Sequence, residues 1–147
     1  MKQLSTIPFA DTTITLYNQV KIKNAGGKVF TKWFRTVIPN CYHKAGGITS
    51  SMGSISILDT KHVVKIPLFD KFYIPYDFSK LTNEERATAF TIATGDLIVL
   101  LEAPEIPDDF FIETDILTKY GSMAFKIANT TLNIGADKPT PHIVAIE

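Results

Sequence analysis

Phe90-Thr91-Ile92-Ala93-Thr94-Gly95-Asp96-Leu97-Ile98-Val99-Leu100-Leu101-Glu102 decides how this chain folds. Five apolar residues, Leu97 to Leu101, stand between the turn signal Gly95-Asp96 and the stop Ala103-Pro104. A short unbroken apolar run bounded by turns is the mark of a strand buried on both faces. Gly95 reaches backbone conformations that other residues adopt only with strain. Asp96 reads as a turn residue bonding its own backbone. Pro104 has no N–H for a ladder, so the strand ends near Glu102. A domain built on such a strand is β-rich.

Toward the N-terminus the same class of signal recurs. Residues 1–11 are polar, contain Pro8 and read as an arm. From Thr13 to Lys23, Ile14, Leu16, Val20 and Ile22 share one face and Thr13, Thr15, Gln19, Lys21 and Lys23 the other. This predicts a half-buried strand with a bulge near Asn18. Asn24-Ala25-Gly26-Gly27 predicts a hairpin turn, and Val29–Ile38 the returning strand, ended by Pro39-Asn40. Cys41–Ser54 carries Gly46, Gly47 and Gly53 with little periodicity, and predicts a long loop. Ile55–Leu58 and Val63–Ile66 predict two short strands around the turn Asp59-Thr60-Lys61. The aromatic, proline-punctuated stretch 67–77 predicts a loop or edge strand over the core.

Toward the C-terminus, Thr82 and Glu85 stand in capping-box spacing and predict a short helix. Phe110 to Tyr120 is ambiguous between strand and helix, but Ile116–Gly121 has the form of a last helical turn with a glycine stop. Met123, Phe125 and Ile127 alternate as a strand, and His142–Ile146 predicts a terminal one. The sum is a mainly β domain spanning residues 1–147. Its expected form is a small antiparallel barrel or sandwich with one or two short helices.

Composition narrows the function classes. Charged residues are 20% and apolar ones 45%, a globular balance. The single cysteine, Cys41, rules out an internal disulfide and fits a reducing compartment. No apolar run is long enough for a membrane helix, and no signal-peptide core opens the chain, so a cytoplasmic origin is expected. The net charge of zero hides an asymmetry. Residues 1–73 hold ten Lys/Arg against three Asp/Glu, and residues 74–147 hold five against twelve. If the fold separates these halves, it presents a basic and an acidic face suited to head-to-tail contacts or to a polyanion.

Catalytic constellations are sparse. Cys41-Tyr42-His43 sets a thiol two residues from an imidazole, without a local partner for a metal site or a nucleophile pair. Glu84-Glu85 and Asp108-Asp109 suit helix dipoles and solvent better than catalysis. No phosphate loop, dinucleotide fingerprint or HExxH is present, so neither cofactor nor metal is expected. The interleaved Lys28–Arg35 stretch reads as one solvated and one buried strand face rather than a nucleic-acid platform.

Three stretches together resemble small phage and prophage virion proteins of the head-morphogenesis group, often called minor capsid proteins. The first is Ile14-Thr15-Leu16-Tyr17-Asn18 with Arg35-Thr36-Val37-Ile38. The second is Val64-Lys65-Ile66-Pro67 with Gly95-Asp96-Leu97-Ile98-Val99. The third is Leu117-Thr118-Lys119-Tyr120-Gly121, Ala124-Phe125-Lys126-Ile127 and Pro139-Thr140-Pro141-His142-Ile143-Val144, where Ile143 replaces a frequent Trp.

The resemblance implies a head-closure or stopper protein of the neck. Such a protein is a non-enzymatic β-barrel forming a ring of six or twelve copies below the portal. It joins head to tail and helps retain packaged DNA. The implied location is the virion, assembled in the bacterial cytoplasm, with portal, adaptor and tail proteins as partners, non-specific proximity to DNA and no membrane.

On that reading His43, Lys44, Gly46, Gly47, Thr49, Ser50, Ser51 and Gly53 form a channel or gate loop. Lys21 and Lys23 would meet Glu105, Asp108 and Asp109 across a ring interface. The alternatives are a tail terminator or another neck protein, and a β-sandwich binding a sugar or peptide. A small hydrolase would require His43 or His142 to meet a carboxylate.

Overall fold

The computed structural model describes residues 1–52, 55–105, 113–135 and 140–147, with 47–52 and 55–60 as backbone. Seven strands form one antiparallel sheet: β1 (Thr12–Lys23), β2 (Val29–Met52), β3 (Ile55–Pro67), β4 (Leu97–Val99), β5 (Ala124–Lys126), β6 (Asn129–Asn133) and β7 (His142–Ile146). Their order is β5-β4-β1-β2-β3-β7-β6. The two edge strands are separated in the chain only by Ile127 and Ala128. Ile127 N–H donates to Asp96 O on the β4 side, and Ala128 N–H to Ile146 O on the β7 side, each at 2.8 Å. The step between them draws the edges together, so the sheet curls into a half-barrel.

The decisive apolar run behaves as its pattern requires. Ile98 and Leu100 belong to the inner core with Ile14, Leu16, Ile38, Val64, Ile66, Phe90, Phe125 and Ile143. Leu97 and Val99 point to the opposite face, into a second cluster with Tyr17, Ala124 and Ile116. Ile116 is carried by the helix α3 (Glu113–Tyr120), which covers this outer face. Strand pairing in β4 stops after Val99, earlier than Pro104 alone would require. Thr15 explains the stop. Its hydroxyl donates to Leu101 O at 2.7 Å and accepts from Ala103 N at 2.8 Å, replacing ladder bonds with side-chain ones. Leu100→Ala should cost roughly 2–4 kcal/mol, because the cavity opens in the shared core. Urea unfolding tests this, and a loss near zero would show that the run does not carry the core.

Several boundaries differ from those read in the sequence. Pro39-Asn40 bends β2 instead of ending it. The pairing slips by one between Ile14↔Ile38 and Thr12↔Cys41, which places a bulge at Pro39-Asn40 rather than at Asn18. A bulge tolerates the missing proline N–H, and Asn40 takes the left-handed backbone it needs (φ 58°). The extra residue resets the alternation, so Ile38 and Cys41 both face the core. Cys41–Met52 is therefore strand, not loop. It pairs continuously with β3 from Tyr42↔Lys65 to Met52↔Ile55. That ladder also runs through Asp59-Thr60-Lys61, making the expected two short strands one.

Two short helices precede β4: α1 (Pro75–Lys80) and α2 (Asn83–Arg86). Helix α2 begins with the expected capping box between Thr82 and Glu85. Helix α1 occupies a stretch expected to be extended. Pro75 pre-sets its first turn, and the buried Arg86 guanidinium donates to Phe78 O and Ser79 O near its end.

Candidate functional site

β2 carries a hairpin at each end, and both reach beyond the curled core. At the first, β1 pairs with β4 only over Thr15–Tyr17, so Val20–Lys23 pairs with β2 alone. The turn closes through Gly27 N–H to Asn24 O at 2.9 Å. Lys21, Lys23 and Lys28 are exposed there, beside Val29 and Phe30. At the second, β3 pairs with β7 only over Val63–Pro67. Residues 45–52 and 55–61 thus form a two-stranded ribbon. Eight residues of strand carry it roughly 25 Å from the core. Gly46 stands in open space.

The expected gate residues thus lie on a ribbon rather than a loop. His43, Lys44 and Gly46 are at its root, Gly47, Thr49, Ser50 and Ser51 along its first strand, and Gly53 lies outside the described residues. Of the expected interface residues, Lys21 and Lys23 are exposed on the first hairpin and Glu105 is exposed after β4. Asp108 and Asp109 lie outside the described residues. β1, β2 and β3 are contiguous in the sheet, but the flanking strands β4 to β7 carry no Asp or Glu and one Lys, Lys126, so strand order does not divide the sheet into a basic and an acidic part.

The root of the ribbon holds a pair of histidines on the inner face. His43 Nε2 and His62 Nδ1 lie 2.9 Å apart. Their rings are close to coplanar, at 25°, with centroids 5.2 Å apart, so the nitrogens meet nearly end-on. His62 stacks on Phe125 at 5.1 Å and 8°. Glu147 Oε2 accepts the backbone N–H of His62 at 3.1 Å and lies 3.9 Å from its Nε2. Burial and the neighbouring imidazole both hold His43 below the ordinary imidazole range. The pairing was invisible in the sequence, because the two residues are brought together only by the register that sets Ala45 opposite His62.

A second polar cluster ties β1 to the turn before β4. The buried Asp96 accepts from Asn18 Nδ2 at 2.7 Å and from Gln19 N and Ala93 N at 3.0 Å. Asn18 also bridges to Thr91 O at 2.8 Å and Thr91 N at 3.2 Å. The Asp96–Ala93 bond is the local turn expected from sequence, while the bonds to β1 are tertiary. Gly95 permits the turn with φ 95°, where a Cβ would also meet Gln19 Nε2.

A family model described as "Family of unknown function (DUF6751)" matches residues 9–145. The chain belongs to the DUF6751 family. No curated protein and no solved structure matches it. The matched span of this DUF6751 chain contains the seven described strands except the last residue of β7, Ile146, and leaves the first eight residues of the arm outside.

Neither His43 nor His142 meets a carboxylate within hydrogen-bond distance among the described residues. His142 instead bonds Thr140 O at 2.6 Å and approaches Asn133 Nδ2 at 3.3 Å. No set of three His, Cys, Asp or Glu among the described residues is placed to hold a metal ion. Cys41 is buried and its thiol is pushed up to about 12, which leaves it a packing residue. A groove of about 340 Å³ runs between the arm at Ile7, Pro8 and Phe9 and the outer side chains Tyr42 and Lys65. No helix among the described residues is long and apolar enough to cross a membrane.

Proposed function

We propose that this DUF6751 protein is a structural subunit of a phage neck, a head-closure type protein that forms a ring below the portal, joins head to tail and helps retain packaged DNA. The observation that carries this reading is the β2–β3 ribbon. Among the described residues it leaves the half-barrel with both outer edges unpaired. A two-stranded ribbon adds little to the stability of the domain it leaves. Open edges are templates for contact with other chains. Such an element suits a protein whose work lies in what it reaches.

The basic hairpin Val20–Lys32 supports the same reading. It sets exposed lysines beside exposed Val29 and Phe30, a surface suited to an acidic neighbour. The resemblance in the three quoted stretches supplies the specific place in the neck.

The test removes the ribbon and keeps the barrel. Replacing residues 46–61 with Asn-Gly joins Ala45 to His62, which already face each other. The variant should fold with unchanged core stability. Phage carrying it should fill heads that then lose DNA or fail to join tails. Infectious, DNA-retaining particles at normal titre would overturn the proposal.

A further inference from the structure

We propose that the His43–His62 pair is a proton-operated latch at the root of the β2–β3 ribbon, which fixes the ribbon's direction until both rings carry a proton. This inference is independent of the neck reading, since it concerns only how the ribbon is fastened.

The fastening is local to one place. Beyond Ala45↔His62 the ribbon pairs only with itself among the described residues. On the inner face at that point, His62 lies flat on Phe125 of β5, and His43 reaches across the ladder to it. His43 Nε2 and His62 Nδ1 share one proton across 2.9 Å. With His43 as the donor, His62 Nδ1 is the acceptor and His62 holds its own proton on Nε2, 3.9 Å from Glu147 Oε2. A first proton enters at His43 Nδ1, which no partner occupies in this network, and the N–H···N bond survives. A second proton can enter only at His62 Nδ1. Two N–H groups then face each other 2.9 Å apart, the bond is lost, and two cations oppose each other across the ribbon root.

The surrounding charges set where this happens. β2 adds Cys41 on the same face, a thiol that stays neutral. β5 adds the uncharged Phe125. The residue after β7, Glu147, is the carboxylate that faces the pair among the described residues, 3.9 Å from His62 Nε2. Lys44, Lys61, Lys65 and Lys126 alternate onto the outer face by register. The sign follows from His43. Burial and the neighbouring imidazole favour its uncharged form in the fold, so the stability this contributes is complete above the ordinary imidazole range and is lost as pH falls.

Amide hydrogen exchange between pH 7 and pH 5, corrected for the intrinsic pH effect, reads the latch. Protection of residues 45–52 and 55–61 should fall between pH 7 and pH 5. Protection of Leu97–Val99 should hold. His43→Gln keeps an N–H donor to His62 but cannot take a second charge, and should abolish the step. Protection that does not change with pH, or a step that persists in His43→Gln, would overturn the latch.

Discussion

Asp96→Ala should destabilise the domain by roughly 3 kcal/mol at pH 7, more than most single substitutions. The carboxylate is the shared acceptor of three N–H groups, two of them on β1, and it is almost fully buried. Alanine leaves the Gln19 and Ala93 amides and one hydrogen of Asn18 Nδ2 without an acceptor. Each costs about 1–3 kcal/mol when it is cut off from water. The gross loss is partly offset, because the variant no longer buries a charge. That offset has a pH signature. Burial lifts the Asp96 carboxyl to about 6, while its N–H partners pull the other way.

The folded state therefore holds a proton through the interval between the ordinary carboxylate range and about 6, where the unfolded chain has released it. Wild-type stability should fall as pH rises through that interval, by roughly 3 kcal/mol at most. The alanine variant should lack this contribution, so the gap between the two proteins should widen from pH 7 to pH 5. Urea midpoints at the two pH values measure it. A gap independent of pH would mean that Asp96 stays ionised and that the three donors outweigh burial.

The same residue shows where sequence reasoning works and where it stops. Gly95-Asp96 was legible as a turn because its chemistry is local: one glycine φ and one bond back to Ala93. The tie to β1 was not, because Asn18 and Gln19 lie far away in the chain. The alternation in β1 and the capping box at Thr82 were legible for the same reason as the turn: period and spacing are properties of neighbours. The two-faced burial of Leu97–Val99 was also legible, since an unbroken apolar run has no polar side to expose.

Cys41–Met52 failed on the opposite ground. Ala45-Gly46-Gly47 and Thr49-Ser50-Ser51 carry weak strand preference and no apolar alternation, yet a ladder to β3 holds them. Strand propensity reflects packing against neighbours, and a ribbon in solvent has few. Pro39 misled in a related way, as a stop signal that a bulge absorbs. The residues expected in a gate loop stand on that ladder instead, and His62 meets His43 only through the register that sets Ala45 opposite it, for which no neighbouring residue gives a signal.

Phe125→Ala should cost roughly 3–5 kcal/mol. Phe125 is only 1% exposed and sits in the middle strand position of β5, opposite Ile98. It belongs to the core that joins strands from both sides of the half-barrel. Its loss opens a cavity where the curl brings β5 close to β3, and the short three-residue strand has little else to hold it. Phe30→Ala is the control: the same atoms are removed from a hairpin position 45% exposed, and the cost should stay below about 1 kcal/mol. Phe125 is also the platform under His62. Phe125→Leu should retain more of the core than alanine, yet remove the flat ring that fixes the imidazole. It should therefore loosen the ribbon root at neutral pH, as amide exchange would read. Equal losses in Phe125→Ala and Phe30→Ala would show that the half-barrel does not depend on this closure.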